Sequence, residues 1–348
     1  MRSTRNIPGV VVASQKSYGF YYVAQEISRT LGIPLVDPTA DKLKYLTLFL
    51  TRPSFIISVG TLSPKKLIAL SMASKRVVAY IAVEGPFPIP KPLLWLANNT
   101  NRLLVVAPSN YVKRELSSSG LKVLGVIPHG INLSEVRLTN LKVNLPPDKF
   151  KILAVVTSLQ RRKFLGIYYL FRAWSKLPRD IKKDSVLILK VPSGTAKYIS
   201  KLAESLGFRS NEYMILDAHF TRDEMFALYR FSDLYIHSTL SDGFGLPVIE
   251  SLICGTPVVA MNAEPWSEIV SKEVGWLVKV SKEVIKWESN LPYRLKIPDL
   301  NDFSEKLINA IEYCERNREA LREKCIAHAQ AFDARKLYKN FEKLIECI

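Results

Sequence analysis

Short β-branched runs alternate with longer stretches of helical periodicity along the whole chain, and this alternation leaves few architectures open. "PGVVVAS" precedes "FYYVAQEISRTLG", "IPLVD" precedes "ADKLKYLTLFL", "SFIISVG" precedes "PKKLIALSMAS", and the pattern continues to "KVLGVIP". A strand, a helical crossover and another strand in repeated order imply a parallel sheet with right-handed connections and helices on both faces. The pattern lapses through "LSEVRLTNLKVNLPPDKF", where Pro146 and Pro147 stand together, and restarts at "KILAVVTS". A second series then follows through "VLILKVP", "YMILD", "DLYIHS", "PVVAMN" and "GWLVKV", and from about residue 301 the chain reads as helical. The expected fold is α/β, with two Rossmann-like parallel-sheet domains at 1–146 and 147–331 facing across a cleft. A C-terminal helix at 332–348 is expected to return to the first domain. At 348 residues and 48% hydrophobic, the chain can give each domain its own core.

Several classes fall away. The longest apolar candidate, "VVAYIAV", stops at Glu84, well short of the roughly 20 residues that span a bilayer. The N-terminus runs from basic residues into a β-like run without a cleavage pattern, so a cytoplasmic location is expected. Cys254, Cys314, Cys325 and Cys347 form no CxxC pair and have no histidine at metal-ligand spacing, which favours reduced, buried thiols and no metal site. The net charge of +17 is uneven: residues 1–146 carry +12 and residues 147–348 carry +5. So basic a front half points to an anionic partner, either a phosphate-bearing ligand or an acidic membrane surface.

The densest chemistry lies in "SDGFGLPVIESLICGTPVVA", residues 241–260. A strand, "DLYIHS", leads into it. Pro247 suits the first position of a short helix, and Gly255 suits its left-handed cap. Gly243 and Gly245 let backbone amides approach a ligand at that helix N-terminus, where the dipole attracts anions. Phe244 between them is a wall or a core plug. Glu250, expected in the first helical turn, and Asp242 cannot bind phosphate. As hydroxyl acceptors they suit a sugar nucleotide, which carries sugar and ribose hydroxyls on either side of its diphosphate.

This segment resembles the acid-x7-Glu motif of the family 4 retaining glycosyltransferases of GT-B fold. "APSNYVKRELSSSG" with "VIPHGIN", "RRKFLGIYYLFRAWSKL", and "WSEIV" before "GWLV" are similar to further segments of that family, in the same order. The resemblance implies that Asp242 contacts the transferred sugar and Glu250 the ribose. It also implies that the amides of Gly243, Phe244, Gly245 and Leu246 face the sugar and diphosphate, and that Lys163, helped by Arg161 or Arg162, neutralises the diphosphate. Charge grows on the leaving oxygen as the anomeric bond breaks, so cations there serve the reaction without a metal or other cofactor. The implied co-substrate is a nucleoside-diphosphate sugar, and the implied acceptor is a saccharide or a lipid-linked one.

On the front half, the resemblance places Gly19 in the loop after the first strand. Glu84 stands where many relatives carry a histidine, and the sequence leaves it open as a cleft residue or a turn residue. His219 precedes a Thr221 N-cap and reads equally as a base neighbour or a capped loop, while His129 reads as a loop residue. The sequence departs from the family pattern in four places. Asp242 replaces the commoner Glu, Tyr18 stands at a usual glycine, "TSL" replaces a frequent Gly-Arg, and "LKVPSG" replaces a G-x-G turn. Competing readings are a non-catalytic sugar-nucleotide-binding protein, disfavoured by intact Lys163, Asp242 and Glu250, and a nucleic-acid-modifying glucosyltransferase, disfavoured by the lack of any aromatic-basic reader motif. Lys65, Lys66, Lys75 and Arg76 around "LIALSMAS", with Trp95 beside Lys91, suit a peripheral protein on an anionic cytosolic membrane face. The same residues also fit helices packed on the sheet with a basic face to water.

Overall fold

The computed structural model describes residues 9–16, 18–136, 143–157, 160–288 and 291–346, and for 161–163 the backbone alone. It divides into two compact units, one made of residues 1–132 with 332–348 and the other of residues 133–331.

The first unit is built on six parallel strands in the order β2-β1-β3-β4-β5-β6. They are β1 (Gly9–Val12), β2 (Leu35–Val36), β3 (Phe55–Gly60), β4 (Arg76–Ile81), β5 (Leu103–Ala107) and β6 (Val123–Val126). Every residue of β5 is buried and β3 is buried over five of its six, as expected where helices cover both faces of a parallel sheet. Five helices connect them: α1 (Tyr18–Leu31), α2 (Lys42–Thr51), α3 (Pro64–Ala73), α4 (Lys91–Asn99) and α5 (Asn110–Ser118). Leu48 of α2, Leu67 and Leu70 of α3, Leu93 of α4 and Val112 of α5 share one core with Val10, Ile56, Val77 and Val105, so α2 to α5 cover the same face of the sheet. His129 sits in the interior, where its Nδ1 lies 2.8 Å from the Tyr80 hydroxyl, which donates to the Ile127 carbonyl at 2.6 Å.

The second unit repeats the design with six parallel strands in the order β12-β11-β10-β7-β8-β9. These are β7 (Phe150–Val155), β8 (Ser185–Val191), β9 (Tyr213–Asp217), β10 (Leu234–Ile236), β11 (Val258–Met261) and β12 (Gly275–Val278). Its helices are α6 (Arg161–Ser175), α7 (Arg179–Asp184), α8 (Ala196–Ser205), α9 (Arg222–Arg230), α10 (Leu246–Ile253) and α11 (Leu300–Ala329), the last kinked at Asn317. Between β12 and α11 the chain forms an antiparallel hairpin, β13 (Val280–Glu288) and β14 (Leu291–Pro298), which the periodicity does not announce. Its alternation is masked by charge: Lys282, Glu283 and Lys286 are exposed, and a lysine, Lys296, is almost wholly buried.

After Ala331 the chain rejoins the first unit through α12 (Ala334–Leu337) and α13 (Asn340–Glu346). Asp333 bridges to Ile131, the Gly130 amide donates to the Tyr338 hydroxyl at 2.9 Å, and Tyr338 and Phe341 are fully buried. Cys254, Cys314 and Cys325 are buried free thiols, and burial pushes the last two up to about 12. Cys347 lies outside the described residues.

Candidate functional site

In an open parallel sheet, ligands bind beyond the carboxyl ends of the strands where the strand order reverses. In the second unit that point falls between β7, whose successors β8 and β9 lie to one side, and β10, whose successors β11 and β12 lie to the other. The segments leaving these two strands are 156–163, which enters α6, and 237–245, which enters α10.

A glycine draws the two segments together. A Cβ on Gly166, the sixth residue of α6, would stand 2.1 Å from the Ser238 carbonyl oxygen, so only glycine lets this helix lie against the backbone of the second segment. Gly166 thus sets the first turn of α6, with Arg161, Arg162 and Lys163, beside the loop after β10. The side chains of Arg161, Arg162 and Lys163 lie outside the described residues. Sequence reasoning passed over Gly166; its signal was a glycine inside a helix, where it costs up to about 1 kcal/mol relative to alanine without a packing reason.

The loop itself is tightly tied. Asp242 Oδ1 accepts from the amide of Gly243 at 2.8 Å and from that of Phe244 at 3.4 Å. A short side chain at the head of a turn reaches its own backbone in this way. Phe244 is 5% exposed and plugs the core. Gly245 adopts a left-handed backbone (φ 105°), and a Cβ there would lie 3.1 Å from Trp266 Cδ1. The helix then begins at Leu246, so Pro247 is its second residue and Glu250 its fifth, one place past the first turn in which the sequence put it. The helix ends as expected: Gly255 is left-handed, its amide bonds to the Leu252 carbonyl and that of Thr256 to Ser251.

Glu250 is engaged from another helix. Arg222, first residue of α9, donates from Nη1 to Glu250 Oε1 at 3.0 Å and from Nε to Glu135 Oε2 at 3.2 Å, and its guanidinium lies 4.7 Å from the Phe226 ring centre. Tyr229 approaches Glu250 Oε2 at 3.5 Å. Thr221 caps α9 in a capping box with Glu224, as the sequence predicts for that threonine. His219 is exposed in the turn between β9 and α9, three residues before Arg222.

Two groups missed in the sequence support this loop. His237, buried at the end of β10, holds Nδ1 3.0 Å from the Tyr235 hydroxyl and Nε2 3.7 Å from Asp242 Oδ2. Lys296 of β14 lies over the Trp266 ring, 5.1 Å from its centre, and its amide donates to the Leu240 carbonyl at 2.9 Å, so the hairpin braces the site loop. Histidine inside an apolar strand and lysine inside a polar hairpin carry no periodic signal, which is why both went unread.

The other named residues belong to the first unit. Gly19 is in the first turn of α1, not in the preceding loop, because helical geometry begins at Tyr18. Glu84 lies three residues beyond β4, at its carboxyl end. Near the carboxyl end of β2, Asp37 is buried. Burial raises its carboxyl, but hydrogen bonds from the Thr39 hydroxyl and from the amides of Gln15, Thr39 and Ala40 outweigh it and hold the group below the usual range. Lys66 is half-buried; burial lowers its ammonium to about 8 against the opposing pull of Asp37.

The profile of the family described as glycosyl transferases group 1 matches residues 136–290, within the second unit and across both segments that leave β7 and β10, Arg222 and Glu250. The second unit belongs to that family. The chain is 32% identical over 149 residues to the serotype-specific mannosyltransferase WbdA of Escherichia coli, covering 42% of this chain and 17% of that relative, so it spans about a sixth of that relative's length. An uncharacterized glycosyltransferase 335 of Sulfolobus islandicus rod-shaped virus 1 is 26% identical over 248 residues, with 67% of this chain and 70% of the relative covered. Outside the group 1 segment, the likeness extends to the fold of the entire chain. Anabaena HepE, solved in complex with UDP and glucose, superposes with a TM-score of 0.70 at 17% identity, over 99% of this chain and 100% of that one. The fold is GT-B, two Rossmann-like units each on a six-stranded parallel sheet.

Proposed function

We propose that the chain transfers a sugar, as a hexosyltransferase, from a nucleoside-diphosphate sugar to an acceptor hydroxyl, with retention of anomeric configuration and without a metal ion. The observation that carries the reading is the convergence at the switch point of β7 and β10. There Gly166 sets the basic first turn of α6 against the loop that presents Asp242, and Arg222 holds Glu250 one helix away. In this reading the first turn of α6 offers helix-dipole and side-chain charge to a leaving diphosphate. Glu250 accepts from the ribose and Asp242 from the transferred sugar. UDP in HepE and the mannosyl activity named for WbdA support a nucleotide-sugar donor and make UDP-glucose and mannosyl donors the first to test. A saccharide or lipid-linked hydroxyl is the acceptor.

The test is transfer from such donors with and without chelator, the anomeric configuration of the product being read by NMR. Retention and indifference to chelator are expected; inversion or a strict Mn²⁺ requirement overturns the reading. Lys163→Ala should lower kcat about 10²-fold or more by removing leaving-group stabilisation, whereas Glu250→Ala should chiefly weaken nucleotide binding. Wild-type turnover and affinity in both would sink the assignment.

A further inference from the structure

Helix α2, "KLKYLTLFLT", is apolar on two opposite faces. Tyr45, Leu48 and Phe49 pack into the core of the first unit, which accounts for one face. On the other, Leu43, Leu46 and Leu50 recur at i, i+3 and i+7 and are 78%, 59% and 85% exposed. A soluble surface helix keeps its outward stripe polar. Three outward leucines on ten residues break that rule without serving the core.

The neighbouring helices extend the surface. Helix α3 packs beside α2 and α4 beside α3, all on the same side of the sheet, and each carries one large apolar residue outward, Met72 on α3 and Trp95 on α4. Charge on this side is predominantly positive. Asp41 caps α2 and pairs with Lys44 at 2.9 Å, and between Asp41 and Glu115 the sequence holds eleven Lys and Arg and a single further acid, Glu84. None of the three helices contains an acidic residue, and Lys42, Lys65 and Lys91 stand exposed at their starts. Lys66 drops out of the cluster read from the sequence, since its ammonium is half-buried toward Asp37.

We infer that the outer face of α2, α3 and α4 docks on an anionic lipid bilayer, with Leu43, Leu46, Leu50, Met72 and Trp95 entering the interfacial layer and the lysines at the helix starts meeting lipid headgroups. The chemistry fits both parts of such a surface. Leucine and tryptophan side chains leave water for the acyl boundary, and cations in excess over acids are drawn to negative headgroups within about a Debye length. A protein partner would need acids facing these lysines and a cavity for each leucine, whereas a bilayer supplies both without shape matching. The inference deepens the proposed transferase by giving its acceptor a lipid setting.

Co-sedimentation of the full chain with vesicles tests it, using phosphatidylcholine vesicles with and without about one-third phosphatidylglycerol. Binding to the anionic vesicles, weak binding to the neutral ones, and loss in high salt are expected. Leu43→Ser/Leu46→Ser/Leu50→Ser should lower partitioning at least about tenfold with an unchanged melting temperature, because these side chains make no core contact. Lys65→Glu/Lys91→Glu should do the same on anionic vesicles only. Absence of wild-type binding, or wild-type partitioning in the leucine variant, overturns the inference. So does a wild-type dimer in solution that the leucine variant dissolves, which would make a second copy the occupant. The assay needs neither donor nor turnover, so its failure and that of the transferase reading are told apart.

Discussion

Gly166 and Lys66 are the residues whose environments make the sharpest demands. A methyl on Gly166 cannot coexist with the Ser238 carbonyl at 2.1 Å, and the obstacle is backbone on both sides, so the helix or the loop must shift. Gly166→Ala is expected to cost about 1–3 kcal/mol, the range for overpacking, and to lower turnover by displacing the first turn of α6. An unchanged urea midpoint would refute the close approach. For Lys66, the folded pKa of about 8 lies below the usual 10.5. Between these values the unfolded chain binds a proton that the folded chain has released, so this group makes stability rise with pH across that window. Below about pH 8 both states hold the proton and the penalty of a half-buried ammonium is fully present. Lys66→Met should therefore be stabilised relative to wild type most at pH 7, with the gap closing toward pH 10.5. Urea midpoints at several pH values would show it; a gap independent of pH would contradict it.

Among the elements, α9 is short and its Arg222 both leads the helix and holds Glu250. Removing the cap in Thr221→Ala should cost about 1 kcal/mol, and because the frayed turn is the one that carries Arg222, nucleotide affinity should fall with it. Calorimetric titration with UDP beside urea melts would separate the effects. A stability loss with no change in affinity would detach Arg222 from the site. How the elements could be read from sequence follows from what each one buries. The strands of both sheets are buried on two faces and announce themselves as apolar runs, and α10 announces itself by Pro247 and Gly255. The hairpin was invisible because its outward residues mix charge with exposed Ile285 and Trp287 and its inward anchor is Lys296. Asp242 and Glu250 were legible because their spacing survives in one dimension. Arg222 and Gly166 were not, since each owes its role to a neighbour more than 25 residues away, and His237, close to Asp242 in sequence, was hidden inside an apolar strand.

At the scale of the molecule, the first unit is discontinuous in sequence. It contains 1–132 and takes its last two helices from 332–348. Tyr338 and Phe341 are fully buried in it, and losing a buried aromatic costs about 3–5 kcal/mol. Two such losses rival the 5–15 kcal/mol that ordinarily holds a domain together. Ending the chain after Ala331 should therefore leave the second unit folded and the first open to protease, with cleavage sites confined to residues before 132. Protection of both units after truncation would show that the returning segment is dispensable.

The same discontinuity puts a clock on synthesis. When Asn132 leaves the ribosome, the partners of Gly130 and Ile131 are still some 200 codons away, a wait of roughly 10–40 s at about 5–20 residues per second. Throughout it the second unit can emerge and close, while the earlier-made unit must stay open on the side that Tyr338 and Phe341 will fill. The half translated first is thus the half finished last, and in that interval it is the half a chaperone would find.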